Sequence, residues 1–400
     1  MSVRIFLVLV LTLKTIEQTG GDCTLSLAKD FGDPAPVYIK NDKFLAPNTQ
    51  SGDVSVQRSE TLLVGCPGRN RSVVLGEDIT DVNVVEVQCI SDAIFRAGKW
   101  VGEFKDIKCS ASPWFTAERK NETCHDGHPL YRVGYQVAEK FFTLYEACFD
   151  ELSLRTLYVR HELSPAVKLH QRGGKKPSFI DTGLFGKNHM SSVYSLKNQR
   201  NRVNEALGDR MDQHYITKKQ FLTRGHLAPR ADFVLRSQQR ASFHYINAAP
   251  QWMRGNAGDW AALEDALRRR ASISRTALTV YTGTYSVCTL ADANGEQHEL
   301  FLQVDINNNA VIPVPLYYYK VVYSPKNSTA VAFVSINSSY YNATNIDELT
   351  FCNDICEGNK NYSWLKWRSN DGTHSFCCDY EEFVKHIDYL PKLTVKGRFH

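Results

Sequence analysis

Residues 221–233 read Phe-Leu-Thr-Arg-Gly-His-Leu-Ala-Pro-Arg-Ala-Asp-Phe. In this stretch His226 follows an Arg-Gly pair at the end of an apolar patch, and Pro229 interrupts regular structure three residues later. The pattern predicts a strand that ends near Phe221 and a loop that carries the histidine. An imidazole titrates at about pH 6.5 and can accept a proton from water at neutral pH, so His226 is a candidate general base.

A second polar cluster begins about thirty residues further on, where 254–268 reads Arg-Gly-Asn-Ala-Gly-Asp-Trp-Ala-Ala-Leu-Glu-Asp-Ala-Leu-Arg. We predict a strand at 243–248 and a helix over about 257–271. Four side chains recur every fourth residue and form one stripe along this segment: Asn256, Trp260, Glu264 and Arg268. A second interpretation stays open, because Asn256 could be a helix cap and Glu264 with Arg268 a surface ion pair.

The basic residues of the chain are concentrated around these two motifs. Residues 168–275 hold 20 Lys and Arg against 8 Asp and Glu, a local excess of +12 in a chain whose net charge is +4. Such a field attracts polyanions and gives sequence-independent affinity for phosphates, although a solvated basic face is the alternative. A histidine base, an oxygen ligand for a hard metal ion and arginines for phosphate are together the groups that phosphodiester cleavage needs.

The first residues and the cysteines predict export. An apolar run over 5–13 follows Arg4; it is too short to span a bilayer but suits a signal peptide. We therefore expect a signal segment at 1–21, a secreted, extracellular chain and no membrane association. All 11 cysteines lie beyond this segment, which favours disulfide bonds with at least one cysteine left over. A metal site is the alternative for the last four cysteines: Cys352, Cys356, Cys377 and Cys378.

Six Asn-x-Ser/Thr sequons agree with passage through a secretory pathway and predict a glycoprotein. They begin at Asn70, Asn121, Asn327, Asn337, Asn342 and Asn361.

Length and pattern predict two domains after the signal segment. Residues 22–124 contain short β-branched runs separated by Gly, Pro, Asn and Asp, which predicts a small β-rich, disulfide-containing domain. Residues 125–400 alternate several strand patterns with the helix pattern, which predicts an α+β domain on an antiparallel sheet.

Three motifs in this order resemble the DNA/RNA non-specific endonucleases of the ββα-metal class. They are Thr-Arg-Gly-His at 223–226, Asn-x-x-Pro-Gln at 247–251 and Asn-x-Gly-x-Trp-x-x-Leu-Glu-Asp-x-x-Arg at 256–268. The leader, the cysteines and the extra N-terminal segment are most similar to secreted arthropod double-stranded ribonucleases and salivary nucleases. The resemblance covers roughly 125–400 and implies a ββα-metal nuclease domain there.

The resemblance also implies roles for the site residues. His226 would be the general base, and Asn256 the single protein ligand of a Mg²⁺ ion, with Mn²⁺ as the alternative. Glu264 would hold a metal-bound water. Arg224 and Arg268 would pair with phosphate oxygens or brace the site. No organic cofactor is implied.

Two further positions complete the comparison with the family. Asn247 is similar to an auxiliary polar residue that lines the family's site. Thr223 departs from the family pattern, because many members have Asp at this position. The change concerns the rate of cleavage and the support of neighbouring site residues more than the presence of activity.

The implied activity is cleavage of DNA, RNA or double-stranded RNA to 5′-phosphate ends, with recognition through backbone phosphates. One alternative is a nuclease-derived protein that binds nucleic acid but cuts little or not at all. Another is an exported, disulfide-rich adhesion or inhibitor protein.

Overall fold

The computed structural model describes residues 21–174, 176–368 and 373–400, so residues 1–20 of the predicted signal segment lie outside the described residues. The chain begins with eleven short strands, which we call the N-terminal unit (residues 23–109). They are β1 (Cys23–Leu25), β2 (Val37–Lys40), β3 (Lys43–Phe44), β4 (Val54–Val56), β5 (Thr61–Gly65), β6 (Val73–Leu75), β7 (Asp78–Ile79), β8 (Val84–Ser91), β9 (Ile94–Ala97), β10 (Trp100–Glu103) and β11 (Ile107–Cys109).

The N-terminal unit is a stack of small antiparallel sheets, with strand orders β10-β9-β8-β5-β2-β3, β11-β6-β7 and β1-β4. Residues of its strands alternate between a buried and a more exposed face, as in β4 and β6, where the first and third residues are buried. Two disulfides, Cys23–Cys89 and Cys66–Cys109, cross-link its strands. A unit of this size buries a limited apolar core, so these covalent links add to its stability.

The second part of the chain starts with four long strands and continues through small helices into a hairpin. These elements are β12 (Thr116–Thr123), β13 (Pro129–Val137), β14 (Lys140–Asp150), β15 (Arg155–Leu163), α1 (Met190–Val193), α2 (Leu196–Leu207), α3 (Asp212–Tyr215), β16 (Leu222–His226), α4 (Arg236–Ala241), β17 (Ala248–Trp252), α5 (Met253–Ala257) and α6 (Asp259–Ser274).

The remaining elements are mostly strands. They are β18 (Leu278–Tyr285), β19 (Thr289–Ala291), β20 (Gln297–Glu299), β21 (Phe301–Val304), β22 (Ala310–Pro313), β23 (Tyr317–Ser324), β24 (Thr329–Ile336), α7 (Ala343–Leu349), β25 (His374–Cys378), α8 (Tyr380–His386) and β26 (Gly397–Arg398).

A nine-stranded sheet is the scaffold of this second part. Its order is β12-β13-β14-β15-β18-β23-β24-β25, and β26 pairs in parallel with β24 while the other neighbours are antiparallel. The predicted α+β class with an antiparallel sheet is thus confirmed. The sheet already includes β12, which precedes the predicted domain boundary at residue 124.

The two faces of the sheet are covered by different layers. On β23, Tyr318 and Val322 belong to the core shared with α2 and α6, whereas Tyr319 and Val321 belong to a second core shared with α8. This alternation follows from the two-residue period of a strand. The hairpin β16–β17 and the helices α5 and α6 therefore lie on one face.

The N-terminal unit is joined to the rest of the chain through a shared core. Val234 and Leu235, eight and nine residues after His226, are buried among the hydrophobic residues of the N-terminal unit. Gln171 bridges the same junction, because its Nε2 donates to the Leu27 carbonyl at 2.9 Å and its Oε1 accepts from the Arg236 backbone N–H at 2.8 Å. The segment after His226 is thus held by the N-terminal unit.

The cysteines form disulfides, as predicted. Besides the two in the N-terminal unit, the bonds are Cys124–Cys148, Cys352–Cys378 and Cys356–Cys377, and buried Cys288 is the unpaired thiol. The alternative of a metal site on the last four cysteines is wrong, because all four sulfurs are in disulfide bonds.

One predicted glycosylation site is also wrong. Asn337 is 3% exposed, and its side chain accepts from the Trp252 backbone N–H and donates to the Pro250 and Pro315 carbonyls. A glycan cannot be attached to an amide enclosed in this way. The other five sequon asparagines are exposed.

Candidate active site

The three motifs meet in one hairpin–helix unit. Strands β16 and β17 pair antiparallel, with Thr223 opposite Gln251 and His226 opposite Ala248, and α5 follows β17 directly. His226 is therefore the last residue of a strand, and the predicted strand end near Phe221 is wrong. The strand predicted at 243–248 is also displaced, because the pairing residues are 248–252.

Close packing of the hairpin explains the glycine of the Arg-Gly-His motif. A Cβ atom added at Gly225 would lie 2.3 Å from Gln251 Oε1 and 2.7 Å from the Tyr318 hydroxyl. Only glycine fits between β17 and the sheet at this position. It lets β16 lie close to the Tyr318 side chain of β23, while His226, the next residue, faces the other side of the strand.

The helix predicted over about 257–271 is present as α6 (Asp259–Ser274), and a short helix that was not predicted, α5 (Met253–Ala257), precedes it. The chain breaks at Gly258, whose φ of −98° and ψ of −116° are not helical, so α5 ends at Ala257 and α6 begins at Asp259. The stripe of side chains at every fourth residue does not run continuously through this break. Asn256 belongs to the short α5 and is not a helix cap, since Trp252 and Gly258 occupy the cap positions.

His226 lies in an aromatic recess. The centroid of its ring is 5.0 Å from that of Phe179 and 4.9 Å from that of Phe243. Its Nε2 atom is enclosed and has no hydrogen-bond partner in the described part of the chain. Burial, reinforced by the positive charges of Lys176 and Arg230, lowers the pKa of His226 to about 4. The imidazole is consequently neutral at physiological pH and able to accept a proton.

Asn256 is tied to the same strand as the histidine. Its Nδ2 donates to the Thr223 hydroxyl at 3.0 Å, and that hydroxyl donates to the Gln251 carbonyl at 2.9 Å. The Oδ1 atom of Asn256 accepts no hydrogen bond from any residue that the structure describes. A carboxamide oxygen in this condition is a ligand of the kind that a hard cation such as Mg²⁺ prefers.

Glu264 and Arg268 lie on α6 in a cluster of charged groups. Arg268 Nη1 donates to Asp232 Oδ1 at 2.9 Å, so its partner is Asp232 and the alternative of a Glu264–Arg268 surface ion pair is wrong. The other oxygen of Asp232 lies 2.9 Å from His161 Nε2. The Glu264 carboxylate forms no hydrogen bond or ion pair within 4.0 Å in the described chain.

Lys320 is the cation that faces Glu264 from the sheet. It is 1% exposed, and its Nζ lies 2.5 Å from the Thr282 hydroxyl and 5.2 Å from the centroid of the Trp260 ring. Burial raises the pKa of Glu264, and the charge of Lys320 offsets part of this rise. Burial likewise lowers the pKa of Lys320.

Arg224 is surrounded by aromatic rings. Its guanidinium carbon lies 5.0 to 5.9 Å from the ring centroids of Phe179, Tyr194 and Tyr245. Its Nε donates to the Tyr245 hydroxyl at 3.2 Å, and no carboxylate pairs with it in the described chain. Because Phe179 also packs on His226, the arginine and the histidine share one wall.

Asn247 has no atom left for a substrate. It is completely buried, its Oδ1 accepts from the Ala228 backbone N–H, and its Nδ2 donates to the Ala228 and Ser242 carbonyls. These bonds fix the turn that follows His226. Asn247 supports the site from behind and does not line it.

The sequence motifs did not identify several residues that build the site. Asp232 lies in a short 3₁₀ turn after β16. His161 comes from β15 and Lys320 from β23, both strands of the large sheet, and Phe179 comes from an irregular segment. Asp232 lies within the stretch 221–233 and could have been noticed as a carboxylate near the histidine motif. The other three carry no local signal.

Comparison with known sequences agrees with this geometry. Residues 126–389 match the family described as DNA/RNA non-specific endonuclease. The chain belongs to this family. It is accordingly an enzyme, a nuclease that acts on nucleic acid with the help of a metal ion, as predicted.

Several relatives of this endonuclease are salivary proteins. It is 31% identical over 359 residues to a salivary endonuclease of Lutzomyia longipalpis, which covers 88% of this chain and 79% of the relative. It is 23% identical to salivary protein Tsal2A of Glossina morsitans morsitans, over 94% of both chains. It is 21% identical to a salivary endonuclease of Culex quinquefasciatus, over 95% of this chain and 93% of the relative.

A solved structure with some similarity is the crystal structure of an EndoG/EndoGI complex, a study of EndoG inhibition. The TM-score is 0.34 and the sequence identity 17%, with 65% of this endonuclease and 89% of that chain covered. In the described part of the endonuclease, none of the helices has both the length and the apolar character needed to cross a membrane.

Proposed function

We propose that this protein is a secreted, Mg²⁺-dependent endonuclease that hydrolyses phosphodiester bonds of DNA and RNA, double-stranded RNA included, to 5′-phosphate ends. One observation carries the proposal. A single hairpin–helix unit carries both an imidazole whose lowered pKa leaves it neutral and a carboxamide whose Oδ1 accepts no hydrogen bond from a described residue. The salivary relatives and the five disulfides support secretion.

His226 acts as the general base in this proposal. It takes a proton from a water molecule while the water oxygen forms a bond to the scissile phosphorus. The bond between phosphorus and the 3′ oxygen breaks, so the phosphate stays on the 5′ end of the product. The depressed pKa of His226 keeps the imidazole unprotonated and ready for this role.

Asn256 and Glu264 fit a Mg²⁺ site, with Mn²⁺ as a substitute. The amide oxygen of Asn256 would be the direct ligand, and the unpaired carboxylate of Glu264 would accept a hydrogen bond from a water of the ion. When bound, the ion would act as a Lewis acid toward the phosphate and stabilise the leaving oxygen.

The two arginines have different roles in this proposal. Arg224, which lacks a carboxylate partner, is free to contact a phosphate oxygen of the substrate. Arg268 is paired with Asp232 and braces α6 against the segment after His226. Asn247 braces the turn through its backbone hydrogen bonds.

The test is cleavage of plasmid DNA and double-stranded RNA by the purified protein, with Mg²⁺ or with EDTA. We expect both polymers to be cut with Mg²⁺ and neither with EDTA. His226→Ala should lower cleavage by on the order of 10²- to 10⁴-fold, the usual contribution of a general base, while binding persists. Retention of both polymers on the wild-type protein without any product, with Mg²⁺ or Mn²⁺, would favour the alternative of a binding protein that does not cut.

A further inference from the structure

A groove separates the N-terminal unit from the nuclease domain beside His226. It encloses about 830 Å³, and it is lined by residues 33–35 and 112–113 on one side and by residues 173–174, 176–178, Ile180 and α4 on the other. Ligand pockets typically enclose about 300–1,000 Å³, so the groove is large enough for more than a single phosphate group.

The charged side chains that line the groove are mostly cationic: Lys176, Arg230, Arg236 and Arg240 against the single carboxylate of Asp33. In the described chain, Asp33 approaches only Arg236, at 4.0 Å, and its side chain is 76% exposed. The other three cations form no ion pair with a described residue. A concentration of unpaired cations between two walls favours a polyanionic ligand.

Two arginines of the groove have donors that the protein does not use. Arg236 and Arg240 are one turn apart on α4 and therefore share a face of that helix. The Nε atoms of both are enclosed without a hydrogen-bond partner in the described chain. Guanidinium groups pair with phosphate oxygens through several N–H donors at once, so the Nη donors of both side chains could contact an occupant with phosphates while their enclosed Nε atoms stay inside the wall.

The groove continues to the catalytic histidine. Lys176 and Arg230 are near enough for their charges to lower the pKa of His226. Phe179, three residues after Lys176, packs on the imidazole. Arg230, four residues after His226, is fixed by bonds to the Gln239 side chain and the Gly173 carbonyl.

The N-terminal unit holds the groove in shape. Val234 and Leu235 lie between Arg230 and α4 in the sequence and are buried in the core of the N-terminal unit. The segment that carries the groove's arginines is therefore anchored to that unit. Residues 33–35 of the opposite wall belong to the N-terminal unit itself, and residues 112–113 follow directly after it.

We propose that this groove binds the sugar-phosphate backbone of a nucleic acid beyond the scissile bond, with the N-terminal unit as its second wall. The inference rests on the proposed nuclease function and adds to it a binding site for flanking phosphates. If the groove binds flanking phosphates, the rate of cleavage depends on the length of the polymer. Contacts of this type carry no base specificity, which suits a non-specific enzyme.

The experiment compares a long DNA duplex with bis(4-nitrophenyl) phosphate, a diester too small to reach the groove, on the wild type, Arg240→Gln and the control Arg96→Gln. Arg96 is exposed on β9 and outside the groove. We expect Arg240→Gln to lower kcat/KM for the duplex on the order of tenfold more than for the small diester. The slope of log KM against log salt should fall by about 1 for the duplex. Arg96→Gln should change neither.

Further variants separate charge from folding. Arg240→Lys should keep most of the salt slope, and Asp33→Asn should tighten duplex binding because it removes the one carboxylate among the described residues that line the groove. Equal losses on both substrates, or an unchanged salt slope, would overturn the proposal. So would loss of binding to a heparin fragment with unchanged duplex cleavage, which would assign the groove to sulfated glycans. An inactive wild type is a distinct result and would count against the nuclease function itself.

Discussion

The Thr223 hydroxyl orients the carboxamide of Asn256. It accepts a hydrogen bond from Asn256 Nδ2 at 3.0 Å and donates its own proton to the Gln251 carbonyl, so its direction is fixed. The amide nitrogen of Asn256 must then face β16, and Oδ1 points elsewhere. The residue that departs from the family pattern thus positions the proposed metal ligand without adding a charge.

Replacing Thr223 with Val should weaken the response to Mg²⁺. The change preserves shape but removes both hydrogen bonds. Loss of the one to Asn256, worth about 0.5–1.5 kcal/mol, should raise the Mg²⁺ concentration for half-maximal activity roughly twofold to tenfold. Thr223→Ser keeps the hydroxyl and is the matched control. An unchanged Mg²⁺ requirement in the valine variant would show that Thr223 has no positioning role.

The imidazole of His226 should remain neutral well into the acid range. Burial and the charges of Lys176 and Arg230 lower its pKa to about 4, so protonation should begin well below the ordinary value of about 6.5. Arg230→Gln removes one of the cations and should move the pKa upward. The measurement is an NMR titration of ¹⁵N-labelled histidines in the metal-free protein, with His226→Asn to assign the signal. Titration near 6.5 in the wild type would contradict the buried environment.

The strands and the main helix near the site could be predicted from local sequence pattern, but the residues at which they begin and end could not. An apolar run before Arg-Gly-His indicates a strand, yet the strand continues through the motif because β17 pairs with it as far as His226. The helix predicted over about 257–271 is present as α6, but the short helix α5 before it was not predicted. The two helices are separated at Gly258, where a residue without Cβ adopts a non-helical conformation.

The partners of the site residues could not be predicted, because they come from distant parts of the chain. Asp232 and His161 are 71 positions apart, and Lys320 reaches the cluster from another strand of the sheet. A pattern of four residues suggested that Glu264 pairs with Arg268, but the tertiary fold supplies Asp232 as the better partner. Val234 and Leu235 likewise pack against core residues of the N-terminal unit, and no local sequence pattern around them predicts this contact.

Gly225→Ala should destabilise the protein. The added Cβ would meet Gln251 and the Tyr318 hydroxyl at distances far below van der Waals contact, and overpacking of this kind costs about 1–3 kcal/mol. Urea unfolding followed by circular dichroism gives the free energy of unfolding. Gly397→Ala is the control, because its nearest neighbour would be 3.8 Å away. Equal stability of the two variants would contradict the close packing of the hairpin against the sheet.

His244 should make the folded state sensitive to acid. It is completely buried, its Nδ1 accepts from the Ile246 backbone N–H, and burial lowers its pKa to about 3. Below about pH 6.5, His244 binds a proton in the unfolded chain but not in the folded chain. The free energy of unfolding should therefore fall as the pH drops from about 6.5 toward 3. His244→Asn retains an acceptor at the same position and should reduce this slope, whereas His214→Asn, at an exposed position, is the matched control. Parallel slopes in the wild type and His244→Asn would refute the prediction.

Asp232→Asn should reveal how strongly the charged cluster beneath the site depends on one carboxylate. Burial alone would raise the pKa of Asp232, but the hydrogen bond and charge of His161, with the charges of Arg268 and Lys320, lower it below the ordinary value. The asparagine keeps the shape but leaves the Arg268 guanidinium, whose side chain is 12% exposed, without a carboxylate at hydrogen-bond distance. Removing one partner of such a buried pair costs about 3–5 kcal/mol.

The matched control for that variant lies on the same helix. Asp265 also approaches Arg268, at 3.7 Å, but its side chain is 57% exposed, and exposed pairs contribute about 0–1 kcal/mol. Asp265→Asn should therefore leave the unfolding free energy nearly unchanged, while Asp232→Asn lowers it and also reduces activity, because α6 carries Glu264. If both variants lowered the free energy of unfolding by the same small amount, solvent would be sufficient to stabilise Arg268. The proposal that Arg268 braces α6 would then be wrong.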